Sequence, residues 1–147
     1  MPGRIYLRQF IYRSDLILNP NVLFVFGDNM LHKGLGGQAR EMRGQPNAIG
    51  IPTKQSPGTA THDYFINSDL QNARIRGEIN SAFKKLRQQL LDNKDIVFPK
   101  SGIGTGLSQL ETRAPEILRY IELHIRYLYE ITENTHHFSQ NPIKDLP

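Results

Sequence analysis

The apolar positions of this chain follow two different periods. Val22-Leu23-Phe24-Val25-Phe26 is unbroken, β-branched and aromatic, as a strand covered on both faces should be. Asn47–Pro52, bounded by Pro46 and Pro52, and Asp95–Pro99 predict two further inner strands. Arg4–Tyr12 reads as an edge strand ending at a Ser14-Asp15 turn. Elsewhere the spacing is helical. Ile75, Ile79, Ala82, Phe83, Leu86, Leu90 and Leu91 make one stripe, which predicts a helix over Gln71–Asp92 with Asp69 as its cap. Ile117, Tyr120, Ile121, His124, Ile125 and Leu128 predict another over Glu111–Glu130. A shorter helix is expected at Gln38–Arg43. Residues 53–69 are polar and irregular and predict a long surface loop. Beyond Thr132 the tail is polar, with His137–Ser139 as a candidate edge strand.

Strands alternating with helices imply an α/β fold: a three-layer α/β/α arrangement around a mixed, largely parallel central sheet. At 147 residues the chain predicts one domain, with a core over 22–130 and a tail over 132–147. The absence of cysteine removes disulfides, thiolate metal sites and cysteine nucleophiles. The five histidines show no HExxH spacing, so neither a zinc site nor any other metal or cofactor is expected. No apolar run approaches the length of a membrane span, and the amino-terminal residues lack a signal-peptide stretch, so a cytoplasmic protein with no membrane partner is expected. A net charge of +4 favours an anionic partner.

Two glycine-rich segments carry the chemical information. Gly34-Leu35-Gly36-Gly37 follows the strand 22–26, and Gly102-Ile103-Gly104-Thr105-Gly106 follows the strand 95–99. In an open α/β sheet such loops gather at the carboxyl ends of the strands, where ligands bind. Glycine admits close backbone approach, and successive N–H groups form a cradle for phosphate oxygens. Each glycine also has the plainer reading of a strand terminator. Neither loop fits the P-loop string, and the first, though formally GxGxxA, stands too far from its strand for a dinucleotide fingerprint.

Phe26-Gly27-Asp28-Asn29, Gly34-Leu35-Gly36-Gly37-Gln38-Ala39 and Pro99-Lys100-Ser101-Gly102-Ile103-Gly104-Thr105-Gly106-Leu107, with Leu110, together resemble a macro domain, the ADP-ribose-binding fold. The resemblance covers about residues 22–130 and is strongest to the branch that removes ADP-ribose from glutamate side chains, with its relatives acting on DNA. Ile51-Pro52-Thr53-Lys54 is also similar to that branch's middle strand. The resemblance implies a macro-like fold and a pocket for ADP-ribose or for an ADP-ribosylated protein or nucleic acid. It assigns Gly27, Gly34, Gly36, Gly37, Gln38, Thr53, Lys54, Ser101, Gly102, Ile103, Gly104, Thr105, Gly106 and Leu107 to ligand binding. Asp28, Asn29 and Lys100 are the candidate catalytic groups. The branch's catalytic lysine has no counterpart, because the corresponding turn holds Arg40, Met42 and Arg43.

Each candidate has a structural alternative. Asp28 serves as a base or ribose ligand, or caps a turn. Asn29 contacts the distal ribose or only shapes the turn. Lys100 is a phosphate partner or nucleophile, or a solvated lysine. His32 reads as an exposed loop residue and His124 as a core histidine. Arg40, Arg43, Arg74, Arg76, Lys84, Lys85 and Arg87 read as a solvated surface with little aromatic interleaving to stack bases. The expected function is therefore ADP-ribosyl hydrolysis on a macro fold. A binding module without turnover is the alternative, and a nucleic-acid-binding domain a third.

Overall fold

The computed structural model describes residues 2–133 and 144–145. Among these residues five strands form one sheet: β1 (Ile5–Arg8), β2 (Leu23–Asn29), β3 (Ala48–Lys54), β4 (Ile96–Pro99) and β5 (Lys144–Asp145), in the order β3-β2-β4-β1-β5. Among the described residues every strand pairing is parallel. An isolated antiparallel bridge joins Lys54 to Tyr64. The helices are α1 (Arg13–Leu18), α2 (Ala39–Met42), α3 (Ala73–Leu91), α4 (Leu110–Arg113) and α5 (Pro115–Glu133).

The three-layer α/β/α arrangement follows from alternation along the inner strands. Phe24 and Phe26 of β2, with Val97 of β4, turn to one side and pack with Leu16 of α1 and with Ala39 and Met42 of α2. Val25, Ile96 and Phe98 turn to the other side, into the larger core under α3 and α5 with Ile79, Phe83, Leu86, Ile117 and Ile121. The predicted stripe of α3 is buried except at its end, where Leu91 is exposed.

Four expectations are corrected. First, the strand read over Arg4–Tyr12 stops at Arg8, lies between β4 and β5 rather than at an edge, and leads to α1. Ser14 and Asp15 are not a turn but the first turn of that helix, because the Asp15 carboxylate reaches back to accept the Tyr12 N–H at 2.8 Å. Second, Asp69 does not cap α3. Asn72 does, its Oδ1 accepting from the N–H groups of Arg74 and Ile75, while Asp69 closes a preceding 3₁₀ turn by accepting from Ile66. Third, the helix read over Glu111–Glu130 is broken between Arg113 and Pro115, since proline has no N–H and pushes Ala114 out of helical geometry. Fourth, the stretch 53–69 is not a surface loop throughout. It continues β3 to Lys54, contains the 3₁₀ turn Thr61–Asp63, and drives Tyr64 and Phe65 into the interior. β3 runs past Pro52 because it is an edge strand, where a missing N–H is tolerated. The strand expected at His137–Ser139 lies outside the described residues.

Candidate functional site

Because all strand pairings are parallel, the carboxyl ends of β2, β3 and β4 open on the same side of the sheet, and both glycine loops start there. The loops enclose a cleft of about 380 Å³. They meet across it: a Cβ placed on Gly36 would stand 3.3 Å from Leu107 Cδ1. The second loop is folded on itself. Thr105 donates its hydroxyl to the Ser101 carbonyl at 2.7 Å, and Leu110 N–H bonds the Gly104 carbonyl at 3.0 Å. Gly104 has φ +91°, and a Cβ there would lie 2.6 Å from Leu110 Cδ1, so this position needs glycine twice over.

All fourteen residues expected to bind ligand line this cleft: Gly27, Gly34, Gly36, Gly37, Gln38, Thr53, Lys54, Ser101, Gly102, Ile103, Gly104, Thr105, Gly106 and Leu107. Asp28 and Asn29 line it too. Lys100 does not; it is exposed at the end of β4, its backbone N–H bonded to the Arg8 carbonyl. Asn29 is occupied by its own turn: Oδ1 accepts from Leu31 N–H and Nδ2 donates to the Lys33 carbonyl.

Among the described residues Asp28 is the cleft's single carboxylate, against Lys33, Arg43 and Lys54. Its side chain is 5% exposed, with Arg43 Nη2 at 2.7 Å from Oδ1, His32 Nδ1 at 2.9 Å from Oδ2 and the Asn29 N–H on Oδ1. Burial works to raise the Asp28 pKa, but the hydrogen bonds from Arg43, His32 and Asn29 outweigh it and hold the carboxyl below its ordinary value. His32 shifts the other way, raised chiefly by its bond to Asp28. It sits in the left-handed region at φ 57°, with its other ring nitrogen 3.4 Å from Glu78. His32 is therefore more than a loose loop histidine: half-exposed, it braces the outer side of Asp28.

Arg43 is also corrected. Read as solvated surface, it sits over the Phe26 ring, donates from Nε to the Gly34 carbonyl and from Nη2 to the Lys33 carbonyl, and so ties the first glycine loop to Asp28. It stands one residue beyond the end of α2, four residues after Ala39, which also lines the cleft. Lys33, Pro57, Pro99 and Ser108 complete the lining beyond the expected set.

At the far wall Lys54 donates from Nζ to the Gly58 carbonyl at 2.6 Å and stands over the Tyr64 ring, which Arg113 also covers at 3.8 Å. Burial and, to a lesser degree, the Arg113 charge push the Lys54 ammonium down, with Asp63 opposing. Gln38 leaves a buried Oε1 without a hydrogen-bond partner beside the cleft. His124 is half-buried, stacked on Phe83 at 4.6 Å and bonded to Asn80 at 2.9 Å.

A protein family described only as a family of unknown function, DUF7831, matches residues 6–124, well over half the chain. The chain belongs to this family. No curated protein and no solved structure matches it. The DUF7831 match spans both glycine loops, Asp28, Arg43 and the wall at Lys54, so the whole cleft lies within the family's shared region. Among the described residues of this DUF7831 chain no helix is long and apolar enough to cross a membrane.

Proposed function

We propose that the cleft binds ADP-ribose, free or attached to a protein or nucleic acid, with the diphosphate between the two glycine loops. One observation carries this reading: both loops, which resemble those of macro domains, converge on a single cleft of about 380 Å³ at the carboxyl ends of the parallel strands. That volume falls within the roughly 300–1,000 Å³ of small-molecule sites. Three cations face one carboxylate, and Arg43 neutralises that carboxylate, so an anion meets a positive wall. The unpartnered Gln38 Oε1 is an acceptor suited to a ribose hydroxyl. The test is calorimetric titration with ADP-ribose, AMP and NAD. Tight 1:1 binding of ADP-ribose, with AMP much weaker, supports the reading; equal or absent heats for all three contradict it.

Hydrolysis of the ADP-ribose linkage is the second reading, favoured by one feature. Asp28 lines the cleft and is kept ionised, as a carboxylate that orients an attacking water must be. Arg43 and Asn29 both donate to Oδ1, and His32 stands against Oδ2, so the carboxylate is held in one orientation at the cleft. Release of ADP-ribose from a modified protein or oligonucleotide, lost in Asp28→Asn while ADP-ribose binding persists, would establish it.

A further inference from the structure

We infer that Glu78 is a positioning residue of the cleft: from the opposite face of the sheet it holds His32 as a cation against Asp28, and so sets the pH range over which the cleft takes an anion. Asp28 follows Phe26 by two residues on β2 and therefore faces the side of α1 and α2, where Arg43 meets it. Glu78 belongs to α3, which covers the other side. His32 joins the two around the β3 edge, with Nδ1 2.9 Å from Asp28 Oδ2 and Nε2 3.4 Å from Glu78 Oε1. β3 admits the carboxylate at this edge because residue 50 is glycine: a Cβ there would stand 2.7 Å from Asp28 Oδ2. Gly50, His32 and Glu78 also line one groove of about 260 Å³ along this edge.

The arrangement fixes the charge of the ring. A neutral imidazole has one N–H donor, so against two carboxylates it would turn a lone pair toward one of them. Only the imidazolium donates from both nitrogens. The backbone holds the pose: His32 stands at φ 57°, its N–H bonded to the Asn29 carbonyl at 3.1 Å. Glu78 Oε2 is buried without a partner, so among the described residues His32 is the hydrogen-bond partner of this carboxylate. Among the same residues the other charged groups here are Arg43, on the Oδ1 side of Asp28, and Lys33, next in the chain. On α3, Arg74 stands one turn before Glu78, and Lys85 two turns after it on the groove wall. The bond to Asp28 raises the His32 pKa, burial opposes the rise, and Glu78 adds to it. When His32 loses its proton, Asp28 keeps its charge with one fewer cation beside it, and an anionic ligand is held less well. This consequence rests on the cleft's taking an anion, as proposed above. By linkage, a bound anion in turn tightens the His32 proton.

The test reads the ring and the ligand separately. ¹H–¹⁵N spectra of the imidazole nitrogens follow His32 in the full chain over about pH 5 to 9, with His32→Gln assigning its signal. The parent midpoint is expected above the ordinary 6.5. Glu78→Gln, which keeps an acceptor and removes the charge, should lower it, and Asp28→Asn should lower it further. Calorimetry then follows ADP-ribose affinity over about pH 5.5 to 8.5, which brackets a histidine titration and leaves the diphosphate ionised. Affinity should fall about 5-fold as pH rises through the His32 midpoint. The fall should move to lower pH in Glu78→Gln and flatten in His32→Gln. A residue that only stabilised the fold would move neither midpoint. Three results would overturn the inference: a parent midpoint at or below 6.5, a midpoint unmoved in Glu78→Gln, or the same affinity profile in the parent and in His32→Gln. If ADP-ribose gives no heat at any pH, the cleft reading fails, while the ring titration still decides whether Glu78 holds His32 as a cation.

Discussion

Arg43 and Asp28, fifteen residues apart, meet at 2.7 Å through Nη2 and Oδ1, and the same guanidinium holds the Lys33 and Gly34 carbonyls. One side chain thus fixes both the carboxylate at the end of β2 and the entry of the first glycine loop. Arg43→Ala leaves a 5%-exposed carboxylate without its cation and two loop carbonyls without their donor. Breaking a fully buried pair costs roughly 3–5 kcal/mol; with Arg43 one-fifth exposed, about 2 kcal/mol is expected. Urea unfolding measures it, and a midpoint equal to the parent's would show that the pair does not hold the loop.

The His32–Asp28 contact makes part of the stability pH-dependent. The His32 pKa is raised above its ordinary 6.5, so its contribution is complete below that value and lost as pH rises through the raised one. The Asp28 pKa lies below its ordinary 3.8, so its contribution is present above that value and lost as pH falls through the lowered one. His32→Gln should therefore lower Tm more at about pH 5 than at about pH 9. Thermal melts at both values decide it; an equal loss at each would mean that no charge is involved.

Most of the layered fold was legible in the sequence, because β2, β4, α3 and α5 are long enough or apolar enough to declare their period. The first helix was not. Six residues with one buried side chain, Leu16, give no stripe, and Ser14-Asp15 looks the same as a turn or as a first helical turn. Tyr64 and Phe65 were missed because two adjacent buried aromatics within a polar stretch have no periodicity. The glycine loops announced the cleft, since strand ends gather in a parallel sheet. The Arg43 and His32 roles lay beyond sequence reading: both act through Asp28, and nothing local distinguishes an arginine folded over a phenylalanine from one in solvent.

Asn72 and Asp69 separate the two adjacent caps. Asn72→Ala should cost about 1 kcal/mol, as loss of a helix N-cap does. Asp69→Ala should leave the first turn of α3 intact and open only the 3₁₀ turn before it. Amide exchange at Arg74 and Ile75 reads the difference; faster exchange there in Asp69→Ala would contradict the assignment.

Gly104 and Gly106 provide a matched pair in the second loop. Gly104→Ala meets both its φ of +91° and the Leu110 side chain, so it should destabilise by about 1–3 kcal/mol. Gly106 has nothing within 4 Å of an added Cβ. Gly106→Glu should therefore fold normally while placing an anion beside the diphosphate path. Loss of ADP-ribose affinity at unchanged Tm is expected; parent-like affinity would move the ligand away from this loop.

The most direct test of the central claim is an ¹H–¹⁵N correlation spectrum of the full chain titrated with ADP-ribose. The account predicts saturable shifts concentrated in two separate segments, Gly27–Gln38 and Ser101–Ser108, with the amides of α3 and α5 largely still. Shifts confined to one loop, or located away from both, would contradict a diphosphate site built from the two glycine loops together.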